Sequence, residues 1–241
     1  MPHRHAIHRL VLVGLLAWAL PGLAAPAITP QMFEEMAQSI TGQAELPVET
    51  LKVLERNGQL FFVSGNGRYL FRGELYDTWT QAPIDTLQQA RQSVSRVPLD
   101  KMGVQISELF ALRLGEGPHQ VVFFTDPQCS HCHALADEAR ALGAQYTFWL
   151  VPVPALGDES NRLVRRLACA RDPDQQLAAL LNGTIDDLAT LERCPEAAYT
   201  RNLLTATRIG VDGIPYLIAA DGRVSRGRPG NFALWLAGEA H

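Results

Sequence analysis

The chain has 241 residues, 47% of them hydrophobic and 19% charged, with a formal net charge of −4. That is apolar material enough for one large domain or two small ones. With no Lys/Arg-rich run along it, the chain does not carry the electrostatic footprint of a nucleic-acid binder.

Residues 1–27 read as a leader rather than as fold. Arg4 and Arg9 precede an apolar run from Leu10 to Leu20. Pro21 and Gly22 break the run, and Ala25-Pro26-Ala27 offers small residues at the offsets needed for cleavage. The run is shorter than the ~20 apolar residues of a membrane span. Removing this signal peptide takes away two Arg and no acid, leaving 19 basic against 25 acidic residues and a net charge of about −6. The four cysteines, Cys129, Cys132, Cys169 and Cys194, all lie in the second half. An exported chain meets an oxidising compartment, where even cysteine counts tend to pair, and four cysteines allow three connectivities.

Two folded pieces and a connector follow. Thr29-Pro30 has the form of an N-cap followed by proline at the first helical position. Met32, Phe33, Met36, Ala37 and Ile40 then recur at helical spacing. From Leu51 the pattern changes to short strands over Leu51–Glu55, Leu60–Ser64 and Arg68–Arg72. They are separated by Asn57-Gly58 and Gly65-Asn66-Gly67, both hairpin signals. This α+β module, residues 28–82, is marginal by itself and calls for a partner surface. Leu60, Phe62, Leu70 and Leu75 need more covering than so small a module gives, and strand edges tend to pair with another chain. Over residues 83–114, Ile84, Leu87, Val94 and Val97 suggest an amphipathic helix interrupted at Pro98, a helical linker with a polar outer face.

Gly115-Glu116-Gly117-Pro118 opens the second piece, residues 115–241. The expected elements are a strand at Val121–Thr125, a helix from Ser130 to Leu142 and a strand at Tyr146–Val151. A mostly helical stretch from Asp158 to Arg208 comes next. Strands at Tyr216–Ala220 and Arg223–Arg226 flank the turn Asp221-Gly222, and Phe232–Leu236 closes with a short helix. The order β-α-β, helices, β-β-α is that of an α/β thioredoxin-like domain with a helical insertion.

Cys129-Ser130-His131-Cys132 directly follows the first of these strands and opens the helix. The first helical turn exposes unpaired N–H groups and the positive end of the dipole, both of which stabilise a thiolate. A two-residue spacer lets the second thiol reach the first. Cys129 is thus the candidate nucleophile and Cys132 the candidate resolving thiol of a disulfide-exchange reaction. A protonated His131 between them adds positive charge near the Cys129 sulfur, in the same sense as the dipole. Three other readings of these residues stay open: a c-type haem attachment site, since Cys129 to His133 spells C-x-x-C-H; a zinc site with Cys169 and Cys194; and a purely structural disulfide. Gly213-Ile214-Pro215 is the second element, because a proline entering a strand is either an ordinary loop residue or a purposeful cis peptide. Asp126, between strand and cysteines, reads as a turn or cap residue.

On these residues the chain resembles the DsbC/DsbG family of periplasmic disulfide isomerases over nearly all of its mature length. The matching stretches are Leu75-Tyr76-Asp77 with Ala82-Pro83, Val121–Leu135 (VVFFTDPQCSHCHAL), Cys169-Ala170-Arg171-Asp172, Gly210–Pro215 (GVDGIP), and Asp221-Gly222-Arg223-Val224 with Gly227. The resemblance implies a homodimer joined through a small N-terminal α+β dimerisation domain, a cis peptide at Ile214-Pro215 beside the redox pair, and a structural disulfide between Cys169 and Cys194. It also implies disulfide-containing exported proteins as substrates, a membrane-bound thiol reductant as partner, residence in the periplasm, and no metal or organic cofactor. The sequence departs from the family in two places that touch the redox chemistry: Ser-His stands between the cysteines where the isomerases have Gly-Tyr, and Ile214 stands where they have Thr. Histidine in the place of His131 resembles the strongly oxidising DsbA family. Phe123 occupies the place of the buried acid of thioredoxin.

The expected activity is therefore isomerisation or reduction of protein disulfides. Two alternatives are a dedicated disulfide oxidase and a non-enzymatic periplasmic chaperone of a secretion or conjugation system.

Overall fold

The computed structural model describes residues 50–194 and 196–239, together with Glu35 and residues 38–42, 44–46 and 48. The leader expected at residues 1–27 and most of the helix expected from Thr29-Pro30 to Ile40 lie outside the described residues. Every element below belongs to one compact unit, Thr41–His241.

A three-stranded antiparallel sheet comes first, β1 (Leu51–Arg56), β2 (Gln59–Ser64) and β3 (Leu70–Phe71), in the order β1-β2-β3. Asn57 and Gly58 take φ of 53° and 75°, the paired left-handed residues of a tight hairpin, and Arg56 faces Gln59 across it. The third strand is shorter than the run Arg68–Arg72 because side chains take its backbone donors. Asn66 Oδ1 accepts from Arg68 N–H at 3.0 Å and Ser64 Oγ from Tyr69 N–H at 2.9 Å. Of the apolar residues thought to need covering, Phe62 is buried within the chain and Leu60 and Leu75 are half-buried, whereas Leu70 is 62% exposed. The outer strand β1 also leaves Leu51 and Leu54 exposed. A two-stranded ribbon follows, β4 (Leu75–Asp77) against β5 (Ala82–Ile84).

The connector is not a continuous helix. Its helical part is α1, Leu87–Ser95, opened by a capping box in which Thr86 and Gln89 satisfy each other's backbone N–H groups. Ile84 belongs to the ribbon and Val97 lies past the helix end, while Val94, on the helix, is 72% exposed. The chain leaves the helix because a distant hairpin captures it: Val97 N–H donates to Gly222 O at 2.8 Å, and Arg96 bridges to Arg223. Gly222 permits this approach, with φ of +82° and a would-be Cβ only 3.1 Å from Val97 O. Residues 98–111 are irregular apart from one 3-10 turn, and Met102 and Leu109 are buried among the residues of one face of the central sheet.

That sheet comprises β6 (Leu112–Leu114), β7 (His119–Thr125), β8 (Tyr146–Pro152), β9 (Tyr216–Ala219) and β10 (Val224–Arg226), in the order β10-β9-β7-β8-β6. Strand β7 runs parallel to β8 and antiparallel to β9. Val121 to Thr125 is buried without interruption because both faces of the sheet are covered. Alternate residues serve alternate faces. Val121 and Phe123 join Leu135, Phe148, Leu150 and Leu217 on one side, and Val122 and Phe124 join Val97, Val151, Tyr216 and Ile218 on the other. Helices α2 (Ser130–Ala141) and α6 (Phe232–Ala237) contribute Leu135, Phe232 and Trp235 to the first cluster.

The stretch expected to be mostly helical from Asp158 to Arg208 holds three helices: α3 (Asp158–Ala168), α4 (Gln176–Asn182) and α5 (Ala197–Ile209). Buried Asn202 ties α5 to the rest. It donates to Phe110 O at 2.8 Å and Pro152 O at 3.1 Å, and accepts from Phe110 N–H at 3.0 Å.

Candidate active site

Cys129 is the N-cap of α2. Its N–H donates to Asp126 O at 3.0 Å, closing the turn that leaves β7, and its Sγ accepts from Cys132 N–H at 3.1 Å. The sulfur therefore sits against the unpaired peptide groups of a helix N-terminus, where negative charge is stabilised. Cys129 and Cys132 are joined as a disulfide with Cα atoms 5.2 Å apart. They differ in access: Cys129 is 6% exposed and Cys132 1%.

The register of the sheet brings the second element to the same place. Phe124 faces Tyr216, so Thr125, the last residue of β7, stands opposite Pro215. The Ile214–Pro215 peptide is cis and Pro215 is buried. Ile214 is half-buried and touches both core clusters. Burial raises the phenol of the next residue, Tyr216, above its ordinary value.

The histidines around the pair divide. His131 is exposed in the first turn of α2. The Nε2 of His133 lies 2.8 Å from Pro127 O, so that nitrogen carries the proton and braces the turn, which leaves it no lone pair for a metal. Phe123 is fully buried in the core cluster that also holds both cysteines. No carboxylate stands in its place.

Asp126 is a turn residue, accepting from Gln128 N–H at 2.8 Å, and it is also more than the sequence signalled. It is fully buried, and its carboxylate receives Leu156 N–H at 3.0 Å and the Ser160 hydroxyl at 2.7 Å. Ser160 comes from the first turn of α3, and no local pattern announces a contact across 34 positions.

Cys169 and Cys194 form a second disulfide, with Cα atoms 5.1 Å apart, between the C-cap of α3 and the stretch before α5. Around it Leu191 N–H donates to Cys169 O and Arg171 N–H to Ala189 O. The exposed Arg162 pairs with Glu159 and Asp186 and holds both carboxyls below their ordinary range. Among the described residues no helix is long and apolar enough to cross a membrane.

A C-x-x-C pair capping the helix after the central strand of this sheet, opposite a cis proline, defines a thioredoxin-like thiol:disulfide oxidoreductase. The chain is similar over nearly its whole length to the DsbC thiol:disulfide interchange proteins. DsbC of Dickeya dadantii is 24% identical over 225 residues, covering 91% of this chain and 90% of that protein. DsbC of Salmonella typhimurium is 22% identical over 232 residues, covering 92% and 91%. A linker-deletion variant of Proteus mirabilis ScsC shares the fold with a TM-score of 0.52 and 17% identity, over 64% of this chain and 85% of that one. No family model matches the chain.

The second disulfide closes a loop of 25 residues, which on the chain-entropy argument stabilises the fold by about 3–4 kcal/mol. Urea unfolding of a Cys169→Ala/Cys194→Ala double variant is expected to show that loss. An unchanged midpoint would mean the bond constrains nothing that matters to folding.

Proposed function

We propose that the protein isomerises or reduces disulfides in exported proteins of the periplasm, with Cys129 as nucleophile and Cys132 as resolving thiol. The observation that carries this reading is the placement of the Cys129 sulfur at the N-terminus of α2, accepting the Cys132 N–H and more exposed than its partner. In the reduced pair the Cys129 thiolate attacks one sulfur of a substrate disulfide. The substrate S–S bond breaks, a Cys129–substrate bond forms, and the departing sulfur leaves as a thiolate that takes up a proton. In isomerisation that substrate thiol attacks elsewhere in its own chain, and a substrate sulfur finally displaces Cys129 unchanged. In reduction the Cys132 thiol gives up its proton and attacks the Cys129 sulfur. The second substrate thiol is released, and two electrons have passed from the pair to the substrate. A membrane-bound thiol reductant would return the pair to the dithiol, as the resemblance to DsbC implies. Ile214 and Pro215 flank the pair and would set how a substrate strand lies against it.

Residues 28–82 are read as the dimerisation domain, residues 83–114 as the linker and residues 115–241 as the catalytic domain. The exposed Leu51, Leu54 and Leu70 support pairing of two chains through the small sheet. Cys169–Cys194 is read as structural. The leader of residues 1–27 supports export.

His131 favours a second reading, a dedicated oxidase. It is exposed in the turn that holds the Cys129 sulfur, and a cation there stabilises the thiolate and makes the disulfide a stronger oxidant.

Three measurements test these readings. Replacing Cys129 by Ser should abolish refolding of a scrambled multi-disulfide substrate, and full retention of that activity would leave only a chaperone. His131→Tyr should raise the pKa of the Cys129 thiol and lower the reduction potential of the pair, read by thiolate absorbance and glutathione equilibration; equal values in the two proteins would remove His131 from the tuning of the site. Light scattering of residues 28–241 at micromolar concentration should give twice the chain mass, and a monomer would end the dimer proposal.

A further inference from the structure

The turn that presents Cys129 is held from a second side, by the helical insertion. The buried Asp126 carboxylate accepts from three donors, Gln128 N–H and the Ser160 hydroxyl at Oδ1 and Leu156 N–H at Oδ2. Ser160 is itself fully buried, and its Oγ also lies 2.9 Å from Gln128 Oε1. A hydroxyl has one proton and cannot serve two acceptors. The carboxylate is the stronger acceptor, so the hydroxyl donates to Asp126 and the Gln128 amide turns its NH2 toward Ser160. With the amide turned end for end the bonds run one way: Gln128 Nε2 would donate to Ser160 Oγ, and Ser160 Oγ donates to Asp126 Oδ1. At its end the Asp126 main-chain oxygen receives the Cys129 N–H.

We propose that Ser160 is a positioning residue for the redox pair, acting through Asp126 to set the balance between the disulfide and dithiol forms of Cys129–Cys132. The proposal rests on the thiol–disulfide exchange reading above. The two forms differ in charge at Cys129, neutral in the disulfide and negative in the thiolate. A carboxylate buried at the root of the same turn repels that thiolate across a medium of low dielectric, and the donors around the carboxylate offset part of its charge. Withdrawing the Ser160 hydroxyl leaves the carboxylate less compensated, which disfavours the reduced form. A role in folding alone would weaken both forms equally and leave their balance unmoved, because the shift in the redox equilibrium equals the difference between the two losses of stability.

The test measures the glutathione equilibrium of the Cys129–Cys132 pair in residues 28–241 carrying Ser160→Ala, Ser160→Thr or Arg162→Gln. Ser160→Ala is expected to shift the equilibrium toward the disulfide by about threefold, the part of one hydrogen bond's worth that differs between the two forms. Ser160→Thr keeps the hydroxyl and should recover most of the shift. Arg162→Gln alters only the exposed ion pairs of Arg162 with Glu159 and Asp186 and should leave the wild-type constant unchanged. If Ser160→Ala does not fold, Gln128→Ala removes an exposed side chain from the same chain of bonds and should move the equilibrium about twofold in the same direction. A wild-type constant in Ser160→Ala, or in Gln128→Ala where that variant carries the test, overturns the proposal, as does an equal shift in Arg162→Gln. A wild-type protein whose pair does not exchange with glutathione at all overturns the exchange reading and this proposal together, an outcome distinct from an active pair that ignores Ser160.

Discussion

The site depends on one strand having no free face. Val121 to Thr125 of β7 is covered on both sides, by one core cluster that contains the two cysteines and another that contains Tyr216 and Ile218. A strand so enclosed has one register with its neighbours, since a slip of one residue would exchange the two clusters. That register fixes the end of β7 opposite Pro215 and delivers the chain into the turn at Asp126. The helix that follows is capped by Cys129, whose main-chain oxygen and sulfur both accept the Cys132 N–H.

Much of this was legible in the sequence for the same reason. A doubly covered strand is an unbroken apolar run, and Val121–Thr125 is one. Cys129 to Cys132 directly after it states both the helix start and the chemistry. Asn57-Gly58 named its hairpin because few residue pairs tolerate two left-handed conformations. The connector was misread where its structure depends on a partner far along the chain. Val97 fits a helical spacing, yet its N–H is claimed by Gly222 and its side chain by the core. Asp126 was read as a turn residue, which it is. Its burial could not be read, because it depends on Leu156 and Ser160 arriving from beyond the next strand.

Helix α3 joins two features that the sequence keeps 40 positions apart, Cys129 and Cys169. Its first turn supplies Ser160 to the redox turn, and its C-cap carries Cys169 of the second disulfide. Eleven residues of helix make a rod of about 16 Å, stiffened on its flank by Arg166, which donates to the carbonyls of Ile185, Asp186 and Leu188. The insertion is thus fastened to the catalytic sheet at one end and to its own return segment at the other.

The unequal depth of the two sulfurs carries a consequence for timing. On the proposed reading, a client caught on Cys129 has two ways off: its own thiols, or Cys132 lying beneath. Cys132 is 1% exposed, so small thiols in the surrounding fluid have almost no access to it. The second exit therefore runs at a rate set by geometry within one turn of helix, as an intramolecular reaction does, whatever the concentration of outside thiols. The fold thus sets an upper limit on the dwell of a stalled client, which outside thiols attacking the mixed disulfide can only shorten.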